Sequence, residues 1–146
     1  MKMAPDGSGS DKTLNILLVE DDQVDVMNVK RAFDKNKIAN PLFVAHNGAD
    51  ALDMLRSKQI PDERRIVLLD LNMPKMNGLE FLRELRADVA LQATPVIVLT
   101  TSNDERDKVD AYNLNVAGYL LKPVTFVNFV EVMAALNKYW TLVELP

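Results

Sequence analysis

From Thr13 onward two hydrophobic patterns alternate along the chain. Short, mostly apolar runs of four to six residues occupy Leu14 to Val19, Pro41 to Ala45, Ile66 to Leu69, Val96 to Leu99 and Gly118 to Leu121. They are dominated by β-branched residues and Leu, the composition of strands buried on both faces of a parallel sheet. Between them the period lengthens. Val26, Val29 and Phe33 stand at i, i+3 and i+7, Ala51, Leu52 and Leu55 follow Asn47 and Gly48, and Leu79, Leu82 and Leu85 are spaced three apart. Each set draws an apolar stripe along a helix. A last helix carries Phe126, Phe129, Val130, Met133 and Trp140. The stretch DERDKVDAYNL before the fifth run has only Val109, Ala111 and Tyr112 for an apolar face, so the fourth helix is expected to be the most weakly anchored.

A βα unit repeated five times, with right-handed crossovers, predicts the α/β class: a doubly wound five-stranded parallel sheet of order 2-1-3-4-5, a flavodoxin-like three-layer sandwich. Ligands of such sheets bind beyond the carboxyl ends of the strands, near the switch point between strands 1 and 3. The residues that follow each run are therefore where chemistry is expected.

Composition narrows the picture. A length of 146 residues with 48% apolar and 26% charged side chains fits one domain with its own core. The opening MKMAPDGSGSDK, residues 1–12, reads as a flexible leader, residues 13–140 as the domain and 141–146 as an apolar tail. With no Cys, disulfide frameworks, thiolate zinc sites and Cys nucleophiles are excluded, and the single His46 excludes multi-histidine metal sites. His46 itself is expected to be exposed or locally bonded. A net charge of −4 is a poor match to nucleic acid or an anionic membrane. The longest apolar run, Val132 to Leu136, is five residues, too short for a membrane span or a secretory signal, so a cytoplasmic location is expected.

The first run ends in Glu20, Asp21 and Asp22, and the third in Asp70; the fourth ends in Thr100, Thr101 and Ser102, and the fifth in Lys122 and Pro123. Taken singly these have plain structural explanations: Asp21 or Asp22 caps the first helix, Ser102 or Asn103 the fourth, and Asp70 and Lys122 are solvated. Together they resist that reading, because capping accounts neither for an apolar strand ending in Asp70 before the long turn LNMPKMNG nor for Lys122. Crowded carboxylates need a cation at neutral pH, and Mg²⁺ is the hard ion that bridges carboxylates to a phosphoryl group. The chemistry that fits is phosphoryl transfer to Asp70 as nucleophile, with Lys122 screening charge and Thr100 donating a hydrogen bond.

The segments ILLVEDD, VLLDLNMPKMNG, PVIVLTTS and GYLLKP, in this order and spacing, resemble the receiver domain of two-component response regulators over residues 13 to about 138. The resemblance implies Asp70 as phosphoacceptor and Mg²⁺ held by Glu20, Asp21, Asp70 and the main-chain carbonyl of Asn72. It further implies Thr100 as the switch hydroxyl, Lys122 on the phosphoryl group, Tyr119 as an aromatic switch, and a sensor histidine kinase as donor. Glu20 stands where many receivers have Asp. Thr101 stands where the family often has Ala or Gly, so a bulkier side chain is expected to narrow access to the phosphoryl group. Tyr119 has a second reading, as a packed strand residue with its hydroxyl at the surface. Self-catalysed gain and loss of the phosphoryl group is the only reaction implied.

A shorter resemblance, in VLTTSNDERD, the last helix through Tyr139 and Trp140, and the tail TLVELP, is to small stand-alone regulators associated with bacterial phytochromes. It implies a phytochrome-type kinase as partner. The expected output is a protein contact or a phosphorelay step, and the apolar tail is expected either to fold back or to meet its equivalent in a homodimer. Two rival functions fit less well. A haloacid-dehalogenase-type phosphatase requires DxDx[TV] after its first strand, whereas this chain has EDDQVD. A flavodoxin-like flavin binder requires a phosphate-cradling loop where Glu20, Asp21 and Asp22 would repel phosphate.

Overall fold

The computed structural model describes residues 14–35, 40–61, 64–71, 77–100, 114–121 and 127. The elements are β1 (Asn15–Val19), α1 (Gln23–Lys35), β2 (Leu42–Ala45), α2 (Gly48–Arg56), β3 (Arg65–Asp70), α3 (Gly78–Ala87), β4 (Val96–Thr100) and β5 (Gly118–Leu121). All five strands pair in parallel in the order β2-β1-β3-β4-β5, the order predicted. The expected segments 104–113 and 141–146, the leader 1–12, and the last helix apart from Val127 lie outside the described residues.

Alternate side chains of each central strand feed two cores. Leu17, Val19, Val67, Leu69, Val96 and Val98 pack on one face with Ala51, Leu52 and Leu55 of α2 and Phe81, Leu82 and Leu85 of α3. Ile16, Leu18, Ile66, Leu68, Ile97 and Leu99 pack on the other with Val26, Val29 and Phe33 of α1. Burial on both faces explains why β1 and β3 read as unbroken apolar runs rather than alternating ones. The edge strand β2 has one neighbour, and its first three residues are only half-buried.

One stripe differs from expectation. In α3 the core residues are Gly78, Phe81, Leu82 and Leu85, while Leu79 is only half-buried against them. Residues spaced strictly by three fall back about 60° per step, so Leu79, Leu82 and Leu85 cannot stay on one face; the i, i+3, i+4, i+7 set can.

The helix starts are chemically specified. The Asn47 side chain accepts the Asp50 N–H to cap α2, and Asn77 forms a reciprocal capping box with Glu80 at α3. At the opposite, amino-terminal edge of the sheet the principal tie is Arg86, in the last turn of α3. Its Nε donates to the Leu114 carbonyl at 2.9 Å, Nη1 to those of Gln92 and Thr94 at 3.0 and 2.8 Å, and Nη2 to that of Asn115 at 3.0 Å. One planar guanidinium thus fastens the chain entering β4 and the chain entering β5 to one helix end. Partial burial lowers its pKa from the ordinary arginine value.

Arg86→Ala would leave four carbonyls short of a charged donor and should lower unfolding stability by about 2–4 kcal/mol in urea titration. Arg86→Lys should recover only a minor part, since one ammonium cannot reach all four carbonyls of the two segments in a plane.

Candidate functional site

Parallel register decides which residues meet. Val19 pairs with Leu69 and with Ala45, so the strand ends of β1, β2 and β3 are level, and Glu20 N–H donates to the Ala45 carbonyl at 3.0 Å. Asp70, the last residue of β3, pairs with Leu99, and Thr100, the last of β4, pairs with Leu121. Glu20 and Asp70 therefore emerge side by side at the carboxyl edge. Carboxylate oxygens of Glu20, Asp21 and Asp70 all lie within 4.8 Å of one another. Glu20 and Asp70 are buried, at 1% and 3% exposure, and Asp21 is the most accessible of the three.

The three consecutive acids divide their tasks. Asp22, not Asp21, caps α1: its Oδ1 accepts the Val24 N–H at 2.8 Å and the Asp25 N–H at 3.4 Å. Of the two capping candidates in the sequence the structure selects the one next to the helix, and Asp21 joins Glu20 and Asp70 instead. The N–H of Asp22 points at Glu20 Oε2, 3.4 Å away.

The turn after Asp70 is closed by α3. Gly78 N–H donates to the Leu71 carbonyl at 2.9 Å, and a Cβ on Gly78 would lie 2.4 Å from Leu71 Cα and 2.9 Å from the Asp70 carbonyl oxygen. Only glycine permits that approach. The Gly at the end of LNMPKMNG thereby fixes the main chain that carries Asp70, a role visible only once helix and strand are seen in contact.

Asn72, Thr101 and Lys122 lie outside the described residues, as does the side chain of Thr100, whose backbone ends β4. Tyr119 is half-buried in β5 and packs against the core shared with α2 and α3. His46 is exposed, its Nδ1 3.4 Å from Gln23 Nε2, in keeping with the locally bonded role expected.

The donor set is three carboxylates with no thiolate, and the only histidine is engaged with Gln23. Hard oxygen ligands at one edge, two of them buried, are consistent with binding a divalent cation. Without a counter-charge the same arrangement stores like-charge repulsion.

The sequence matches the family model for the response regulator receiver domain over residues 16–134. Response regulator Rcp1 of Synechocystis is 33% identical over 135 residues, covering 90% of this chain and 92% of that protein. The crystal structure of its Mn²⁺-bound form has a TM-score of 0.64 over 87% of this chain and 94% of that one, at 32% identity. The bacteriophytochrome response regulators RtBRR and AtBRR are similar at 40% and 37% identity, with TM-scores of 0.74 and 0.75. Each covers 84% of this chain, and the match spans 76% of RtBRR and 91% of AtBRR.

Neutralising one member of the cluster relieves its repulsion. Asp21→Asn should raise the thermal stability of the metal-free protein by about 1 kcal/mol while weakening the binding of a divalent cation, both readable in melts with and without added ion. A stability loss in the metal-free state would contradict the crowding described.

Proposed function

The chain belongs to the response regulator receiver domain family, and on that premise we propose that it accepts a phosphoryl group on Asp70 in a Mg²⁺-dependent reaction. The observation that carries this is the trio Glu20, Asp21 and Asp70 within 4.8 Å at the carboxyl edge. The metal-bound form of the relative Rcp1 supports it. Receiver domains partner with sensor histidine kinases, and the likeness to RtBRR and AtBRR supports a phytochrome-type kinase as donor.

In this reading an Asp70 carboxylate oxygen attacks phosphorus of a phosphohistidine. The P–N bond breaks, its electron pair stays on the imidazole nitrogen, which takes up a proton, and a P–O bond forms. Glu20, Asp21, Asp70 and the Asn72 carbonyl would hold Mg²⁺, whose chemistry is to screen the charge that builds between carboxylate and phosphoryl oxygens. Lys122 adds a cation, Thr100 donates to a phosphoryl oxygen, and Thr101 narrows access. Gly78 and the capped α3 hold the Asp70 main chain still during the transfer. Tyr119 follows Thr100 as the aromatic switch. The chain performs no reaction beyond gaining and losing this group; it signals in the cytoplasm through protein contact or as a phosphorelay intermediate. No helix among the described residues is long and apolar enough to cross a membrane.

Incubation with Mg²⁺ and a small acyl phosphate should add one phosphoryl group, located at Asp70 by mass spectrometry. Asp70→Asn and excess chelator should each abolish the gain; modification of that variant elsewhere, or of the native chain in chelator, would refute the reading.

The tail TLVELP and Trp140 are apolar enough to pack on some surface, their own domain or a second copy, and we propose a symmetric homodimer. Truncation after Tyr139 should then yield a monomer in sedimentation with Asp70 phosphorylation intact. A native chain that stays monomeric at high concentration would refute the dimer.

A further inference from the structure

The third acid of the run, Asp22, lies outside the carboxylate trio yet is tied to both sides of the β1–α1 turn. On the helix side its Oδ1 takes the Val24 and Asp25 N–H groups at 2.8 and 3.4 Å, and its carbonyl takes the Val26 N–H at 3.0 Å. On the site side its own N–H faces Glu20 Oε2 at 3.4 Å. Only Glu20, Asp21 and Asp22 separate the last residue of β1 from the first of α1. The strand end is immobilised by pairing with β2 and β3, and Val26 and Val29 seat the helix in the core. The remaining freedom of Asp21 is therefore set by the residue that closes the turn.

We propose that Asp22 is a positioning residue for the metal site: its side-chain cap fixes the turn that presents Asp21 and orients Glu20 toward Asp70. The inference rests on the proposed Mg²⁺-dependent function. The cap acts through geometry, because the Asp22 carboxylate is exposed and its charge is screened by water. Without the cap the first turn of α1 frays, the Asp22 N–H leaves Glu20, and Asp21 samples positions away from its two partners.

Charge and geometry are separable by substitution, since Asn caps a helix as well as Asp does and Ala does not. The full chain is titrated with Mg²⁺ by calorimetry, and thermal stability without metal is measured in parallel. Asp22→Asn should bind within about twofold of the native chain, whereas Asp22→Ala should bind about fivefold more weakly, the factor that loss of one cap corresponds to when it is felt at the site. Asn47→Ala, which removes the cap of α2, the helix that follows β2 and not β1 or β3, should lower stability comparably and leave Mg²⁺ affinity unchanged. Native affinity in Asp22→Ala would overturn the proposal, as would an equal loss in Asp22→Asn, which would make the charge responsible, or an equal loss in Asn47→Ala, which would make it general destabilisation. A native chain that binds no Mg²⁺ at all would overturn the parent reading together with this one.

Discussion

Parallel pairing of β1 with β3 is the constraint on which the rest depends. Both strands are buried on both faces and level at their carboxyl ends, so the first polar residue after β1 and the last residue of β3 must emerge as neighbours. In this chain those residues are Glu20 and Asp70, two buried acids beside a third. Core packing supplies the energy that holds the carboxylates together, an arrangement consistent with binding a divalent cation.

The turns leaving those strands convert proximity into a defined geometry. α1 starts three residues after β1 under the Asp22 cap, and α3 starts at Gly78 against Leu71 under the Asn77 and Glu80 capping box. In the three βα units whose helices are described, the helix begins on the edge where the acids gather, so those helix N-termini contribute positive partial charge there. A loosely tied turn would let the carboxylates relax apart, and the trio would lose its preorganisation.

The opposite edge is devoted to stability. Arg86 gathers four main-chain carbonyls, and Arg56 at the end of α2 bonds Asp88 beyond α3 at 3.0 Å. The Arg56 hydrogen bond is the main reason the half-buried Asp88 carboxyl is held below its usual range. That contribution is present above the ordinary carboxylate pKa and fades as pH falls through the lowered one, so it is complete at neutral pH. The Arg86 and Arg56 ties thus lie at the end of the strands away from the carboxylate trio.

The local elements and their order were written in the chain. Unbroken apolar runs alternating with helical stripes admit few arrangements, and acids immediately after the first and third runs admit few tasks, because strand ends in a parallel sheet are where ligands bind. What the sequence left open was settled by contacts between segments distant along the chain. Which acid caps α1 depended on how three residues bridge a fixed strand and a seated helix. Phe81 displaced Leu79 from the core because helix rotation against the sheet, not spacing alone, selects the buried face. The need for glycine at Gly78 came from the approach of α3 to the Asp70 turn, and the role of Arg86 from carbonyls 6 to 29 residues away. Periodicity records which face a residue prefers, whereas the distance between two faces exists only after they have packed.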